Sequence, residues 1–161
     1  MEIRIAGLVK ESITDGRGIR YTIFTQGCPH GCPGCHNPES HDPGGGYTAD
    51  TDDMLKDIKA DPLLKGVTFS GGEPFMQPAP LTHLARQVHG LGKDVTVYSG
   101  WTYEELCAME SPEVQALLNE ADVLIDGRYE ESLRNLELSF RGSENQRIID
   151  LKDEGQLTMN N

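Results

Sequence analysis

The stretch 27–39, GCPHGCPGCHNPE, carries Cys28, Cys32 and Cys35, three of the four cysteines of the chain, in the spacing C-x3-C-x2-C. Thiolates bind soft metal centres, and a loop this short can wrap three of them round one face of a cubic iron–sulfur cluster, with Gly27, Gly31 and Gly34 allowing the tight turns. Three ligands leave one iron of a four-iron cluster open to a substrate, which a fully ligated electron-transfer cluster does not offer. Zinc is the rival reading. A structural zinc site takes four ligands, and His30, His36 or His41 could supply the last, but the chain has no second C-x2-C or H-x3-H knuckle. A cluster of thiols without metal is the third reading, and the spacing favours iron and sulfide over both.

The second chemical signal is SGGEP at 70–74. Taken alone it is a turn that ends a strand. In a site, Gly71 and Gly72 would expose backbone amides and carbonyls to a ligand, and Glu73 would favour a cationic amine.

Several elements must position these residues. MEIRIAGLV alternates Ile3, Ile5 and Gly7 with Glu2, Arg4 and Ala6, which predicts a strand with one buried face. IRYTIFTQ (19–26) predicts a second strand, joined to the first across TDGRG and running straight into the cysteine loop. GVTFS (66–70), DVTVYS (94–99) and DVLID (122–126) predict three more, rich in Val and Ile as strands covered on both faces are. Helical patterns lie between them. Met54, Leu55 and Ile58 share a face in a segment that Pro62 ends. Leu81, Leu84, Ala85 and Val88 form a stripe opened by Pro80 and capped at Gly90, Thr102 and Glu105 make a capping box, and Ser111-Pro112 starts a turn with Val114, Leu117 and Leu118. Alternating strands and helices predict parallel pairing through crossovers, with ligands bound at the carboxyl ends of the strands. Gly27-Cys28, Gly71-Gly72-Glu73, Ser99-Gly100 and Asp126-Gly127-Arg128 each follow a strand, so they are expected on one rim.

At 161 residues the chain suits one domain, 1–150, followed by a polar tail, 151–161, whose composition favours disorder. DPGGGYT (42–48) reads as a flexible loop. The 14 basic and 26 acidic residues leave a formal charge of −12, which disfavours a nucleic-acid backbone or an anionic membrane as partner. The amino terminus has no leader pattern and no apolar run approaches membrane-spanning length, so the chain is expected in the cytoplasm, where thiols stay reduced.

The cysteine motif after one strand and GGE-P after the next resemble the radical S-adenosylmethionine superfamily. Within it, DGRGIRYTIFTQGCPHGCPGCHNPESH, FSGGEPF, VYSGWTYEEL, VLIDGRYE and FRGSENQRIID are similar to the activating proteins of anaerobic ribonucleoside-triphosphate reductase, over about Asp15 to Asp150. The resemblance implies an α/β fold, a partial (β/α) barrel of five or six mostly parallel strands, open on one side to a protein substrate. It implies that Cys28, Cys32 and Cys35 bind a 4Fe-4S cluster whose remaining iron is chelated by S-adenosyl-L-methionine. Gly71, Gly72 and Glu73 would hold the methionine amino group, Gly34 and His36 would lie along the adenosine, and Ser99 and Asp126 would contact ribose or methionine. Reductive cleavage would give a 5′-deoxyadenosyl radical that takes hydrogen from a glycine of the large reductase subunit. A low-potential donor such as flavodoxin or ferredoxin would supply the electron. Many superfamily members place an aromatic residue just before the last cysteine, where this chain has Gly34. A radical enzyme with a small-molecule substrate, as in deazapurine synthesis, and a zinc-binding interaction module are the alternative functions.

Other residues carry plainer expectations. Cys107 reads as a small buried hydrophobe, His83 and His89 as surface or cap residues, and Arg128, Arg141 and Arg147 as solvated or partner-facing cations.

Overall fold

The computed structural model describes residues 1–35 and 38–152. One seven-stranded sheet carries the fold, in the order β3-β1-β2-β4-β5-β6-β7. Its strands are β1 (Glu2–Ser12), β2 (Arg20–Thr25), β3 (Tyr47–Asp50), β4 (Gly66–Gly71), β5 (Asp94–Ser99), β6 (Val123–Asp126) and β7 (Arg147–Asp150). The central pairings β2–β4, β4–β5 and β5–β6 are parallel. At the flanks β1 pairs antiparallel with both β2 and β3, and β7 pairs antiparallel with β6. The sheet is a mixed α/β one with a parallel centre, and its edges β3 and β7 stay apart.

The five strands expected from sequence are all present, and two more lengthen the sheet beyond the expected five or six. β3 takes Tyr47–Asp50 from the end of the glycine-rich stretch read as a loop, and β7 takes Arg147–Asp150. Tyr47 and Thr48 are exposed at an edge, so no buried alternation marks that strand.

Helices α1 (Thr51–Ala60), α2 (Pro78–Gly90), α3 (Tyr103–Ala108) and α4 (Pro112–Glu120) follow the expected patterns. The Thr102/Glu105 capping box is present, and Ser111 caps α4 by accepting the Val114 N–H. The end of α2 lies two residues beyond expectation. Gly90 remains helical, and Gly92, at φ 75°, takes the left-handed conformation that lets the chain leave the helix.

Alternation along the central strands divides the sheet into two faces. Tyr21, Ile23, Val67, Phe69, Val95, Val97, Leu124 and Ile149 point into one apolar core with the helix stripes. On the other face Phe24, Ser70 and Tyr98 line a cavity, and Arg20 fills the amino ends of the strands. Arg20 is fully buried, and its guanidinium donates to Thr68 Oγ1 and Val67 O at 2.7 Å each, to Arg17 O at 2.8 Å, and to the Asp94 carboxylate. The strands expected to be covered on both faces are so covered, with Val67, Phe69, Val95, Val97 and Leu124 buried on the helix side and Thr68, Thr96 and Ile125 buried on the other. Among the described residues no helix is long and apolar enough to cross a membrane.

Candidate metal centre

The cysteine loop leaves β2 at its carboxyl end and is tied down by backbone bonds. Gly27 N–H donates to Ser40 O at 2.7 Å, Cys28 N–H to His41 O at 3.1 Å and Cys35 N–H to Cys32 O at 3.1 Å. Gln26, buried at the base of the loop, donates its side-chain amide to Glu39 O and Asp42 O. Gly31 and Gly34 take φ of 59° and 73°, the left-handed conformation the sequence reading required of them.

Cys28, Cys32 and Cys35 line one cavity of about 580 Å³. The same cavity is walled by Gly71 and Gly72 from the end of β4, Ser99 and Gly100 from β5, and Gly127, Arg128 and Tyr129 after β6. The four strand ends singled out in the sequence thus converge on one rim. Burial pushes the Cys28 thiol up from its ordinary value, against the pull of the His30 backbone N–H. Burial also raises Cys32, opposed by the Tyr129 backbone N–H and by Arg128.

The donor set fits an iron–sulfur cluster. Three thiols from one loop line the same cavity, and a cluster bound by one thiolate per iron would draw on such a set.

The cradle beside them is built of backbone. Gly72 N–H donates to Thr25 O and Glu73 N–H to Gly27 O, both at 2.8 Å, so the GGE turn is clipped directly to the cysteine loop. A Cβ on Gly72 would overlap Gly27 O and stand 2.9 Å from Ser40 O, which is why this position takes glycine.

Other expected site residues fall elsewhere. The Glu73 carboxylate is fully buried behind the cavity wall and accepts from His30 Nε2 at 2.6 Å, Gly100 N at 2.7 Å, Ser99 Oγ at 2.9 Å and Phe75 N at 3.1 Å. All of these donors belong to the protein, and the carboxylate stands behind the residues that line the cavity. Asp126, also buried, accepts from the Tyr103 N–H at 2.7 Å and from the Arg147 guanidinium through both oxygens. It holds the β6 end to α3 and β7 and is not among the residues that line the cavity. Gly34 packs with its α-carbon toward the Glu131 carboxylate. Ser99 does line the cavity, with its hydroxyl turned to Glu73. His36, expected along the adenosine, lies outside the described residues, as does the tail beyond Lys152.

Sequence reasoning missed three contributors. His30 stood only as a possible zinc ligand, Arg147 as a cation facing solvent or a partner, and residues 128–142 had no structural role. Arg147 is instead bound to Asp126 and Glu104, which together raise its pKa. The segment after Gly127 brings Tyr129, Leu138, Phe140 and Arg141 to the cavity rim, and Tyr98 Oη fastens it by donating to Phe140 O at 2.7 Å. The sequence signals there were VLIDGRYE, which opens the segment, and FRGSENQR, which closes it, and no periodicity assigns either to an element. Cys107, read as buried, is exposed on α3.

A family model described as a 4Fe-4S single cluster domain matches residues 14–149. The anaerobic ribonucleoside-triphosphate reductase-activating protein of Escherichia coli strain K12 is 33% identical over 149 residues, which cover 87% of this chain and 94% of that protein. Its counterpart from Vibrio cholerae is 34% identical over 145 residues, covering 84% and 90%. The protein of the same name from Enterobacteria phage T4 is 30% identical over 141 residues, covering 83% and 85%. Among solved structures, QueE from Escherichia coli is similar in fold, with a TM-score of 0.50 at 20% identity over 63% of this chain and 54% of that one.

Proposed function

We propose, from the premise that the chain belongs to the 4Fe-4S single cluster domain family and to the anaerobic ribonucleoside-triphosphate reductase-activating proteins within it, that it installs the glycyl radical of that reductase. The observation that carries this reading is the convergence of Cys28, Cys32 and Cys35 with Gly71 and Gly72 on one cavity.

Cys28, Cys32 and Cys35 hold three irons of a 4Fe-4S cluster, and the backbone of Gly71 and Gly72 receives the amino group of S-adenosyl-L-methionine. A cluster held there would supply the electron that cleaves the sulfonium carbon–sulfur bond of S-adenosyl-L-methionine into methionine and a 5′-deoxyadenosyl radical, which would take a hydrogen atom from a glycine of the large reductase subunit. The chain contributes position and exclusion of water. Its thiols lose their protons on loading, and the glycines let the backbone come close without side chains in the way. The segment 128–142 covers one side of the cavity. Ile13, 74% exposed on the rim, offers the partner's glycine-bearing segment an apolar contact at the entrance. The electron arrives from a low-potential protein donor of the flavodoxin or ferredoxin type.

The test is anaerobic reconstitution with the large reductase subunit, reductant and S-adenosylmethionine, read by electron paramagnetic resonance. A glycyl doublet, with roughly four irons and four sulfides per chain, is the expected result. An intact cluster that cleaves S-adenosylmethionine without producing the doublet would refute the activating role while leaving the radical chemistry standing.

A further inference from the structure

We propose that His30 is a positioning residue, a buried peg that seats the cysteine loop in a socket formed by the carboxyl ends of β4 and β5. The inference rests on the reading that Cys28 and Cys32 hold the cluster, because His30 lies midway between them in sequence.

The socket is made of parts far apart in the chain. The His30 side chain is only 5% exposed, and its Nε2–H donates to Glu73 Oε1 at 2.6 Å. Trp101 meets the imidazole edge-on, with ring centroids 4.8 Å apart and planes at 76°. Glu73 is itself fixed by the Ser99 hydroxyl, the Gly100 N–H and the Phe75 N–H. Ser99 Oγ in turn accepts from the Trp101 backbone N–H at 3.1 Å, which fixes the chain that carries the indole. Gly100 completes the fit: a Cβ there would overlap the imidazole and stand 2.5 Å from its Nε2. The three atoms nearest that Cβ all belong to the His30 ring, and the φ of Gly100 lies outside the left-handed region.

The consequence for the site is geometric. Gly71 and Gly72 belong to the β4 end and Gly100 to the β5 end, whereas Cys28 and Cys32 ride on a loop. Two ties set the distance between them. One is the backbone bond from Glu73 N–H to Gly27 O, and the other is the side-chain bond from His30 to Glu73. The second reaches the middle of the loop, where the first does not. The residue that looks in sequence like a spare metal ligand therefore has its Nε2 committed to a carboxylate.

Hydrogen exchange in the metal-free full-length protein tests the peg without any cofactor. The amides of Gly27, Cys28 and Cys35 are hydrogen-bonded and report on the loop. In His30→Ala they should exchange about tenfold faster, with the amides of α2 and β5 unchanged. His30→Gln carries an amide N–H toward the same carboxylate and should restore protection. Gly100→Ala should open the loop as His30→Ala does, yet add less than about twofold in the His30→Ala background, because the clash needs the ring. After reconstitution, His30→Ala should keep its iron and sulfide while KM for S-adenosylmethionine rises about tenfold, as loss of an outer-sphere support does. Loop exchange at the wild-type rate in His30→Ala, or an equal effect of Gly100→Ala in both backgrounds, overturns the proposal. Should His30→Ala fail to fold, Gly100→Ala decides alone, and unchanged loop exchange in it refutes the peg. Wild-type protein that binds no iron would sink the cluster assignment and leave the exchange result untouched.

Discussion

Gly72→Ala should separate the two halves of the site with a single methyl group. The added Cβ would overlap Gly27 O and sit 2.9 Å from Ser40 O, and both are backbone atoms that no rotamer change can move. Relief requires the GGE turn and the cysteine loop to part by roughly 0.5–1 Å to reach ordinary contact distances. Parting them stretches Glu73 N–H to Gly27 O and Gly27 N–H to Ser40 O, at present 2.8 and 2.7 Å. Each such bond contributes about 1 kcal/mol, and overpacking adds about 1–3 kcal/mol, so a loss near 3 kcal/mol is expected. For a chain of this size that lowers Tm by roughly 6–12 °C. The effect on chemistry should be larger than the effect on folding. A misplacement of about 1 Å between reacting groups costs on the order of a hundredfold in rate. Calorimetry on the metal-free protein and reductant-dependent release of 5′-deoxyadenosine from the reconstituted protein read the two effects separately. A variant with wild-type Tm and wild-type release would show that these loops are not in the close contact on which the site depends.

The remaining predictions address neighbouring features. Gly90→Ala, where nothing lies within 4 Å of the added carbon, should stabilise α2 by about 0.5–1 kcal/mol and raise the urea midpoint without altering turnover. Arg147→Ala should cost about 3–5 kcal/mol in urea unfolding because it strands the buried Asp126 carboxylate, whereas Asp126→Asn should leave KM for S-adenosylmethionine unchanged, as fits a structural carboxylate. His89 donates to Asp122 at 2.7 Å and lies 3.2 Å from Glu120; burial works against its proton, but the two carboxylates outweigh that and hold its pKa above the ordinary 6.5. Its stabilising effect over His89→Gln should therefore be full below pH 6.5 and fade as pH rises through the higher folded-state value, and a gap in urea midpoint that grows with pH would contradict this.

Local periodicity explains which parts of the fold could be read from sequence. Val67 and Phe69, or Val95 and Val97, show a buried face within six residues, and the α2 stripe repeats across three turns. β7 has only four residues, and its adjacent Ile148 and Ile149 are buried on opposite faces, so no alternation distinguishes it. The cysteines were legible for a related reason, since thiols gathered on one loop leave their spacing in the chain. Glu73 and Asp126 were not. Their partners His30 and Arg147 lie 43 and 21 residues away, and nothing near either carboxylate in sequence says whether it faces a ligand or the protein.

That inward turn has a physical logic. Glu73 follows β4 and Asp126 ends β6, on either side of β5, and both accept from donors of the protein, His30, Ser99, Gly100 and Phe75 for the first and Tyr103 and Arg147 for the second. A cavity that gathers three thiolates already concentrates negative charge, and free carboxylates among them would oppose their ionisation, since like charges within about 4–6 Å disfavour one another. Glycine backbone at 71, 72, 100 and 127 lines the wall instead, offering amides and carbonyls that carry no net charge. The carboxylates stand one layer behind, where each fixes the strand end that presents those backbone groups. Glu73→Gln should accordingly disturb the loop through His30 and Gly100, because an amide cannot accept at both ends from four donors, rather than through any lost contact with a ligand amine.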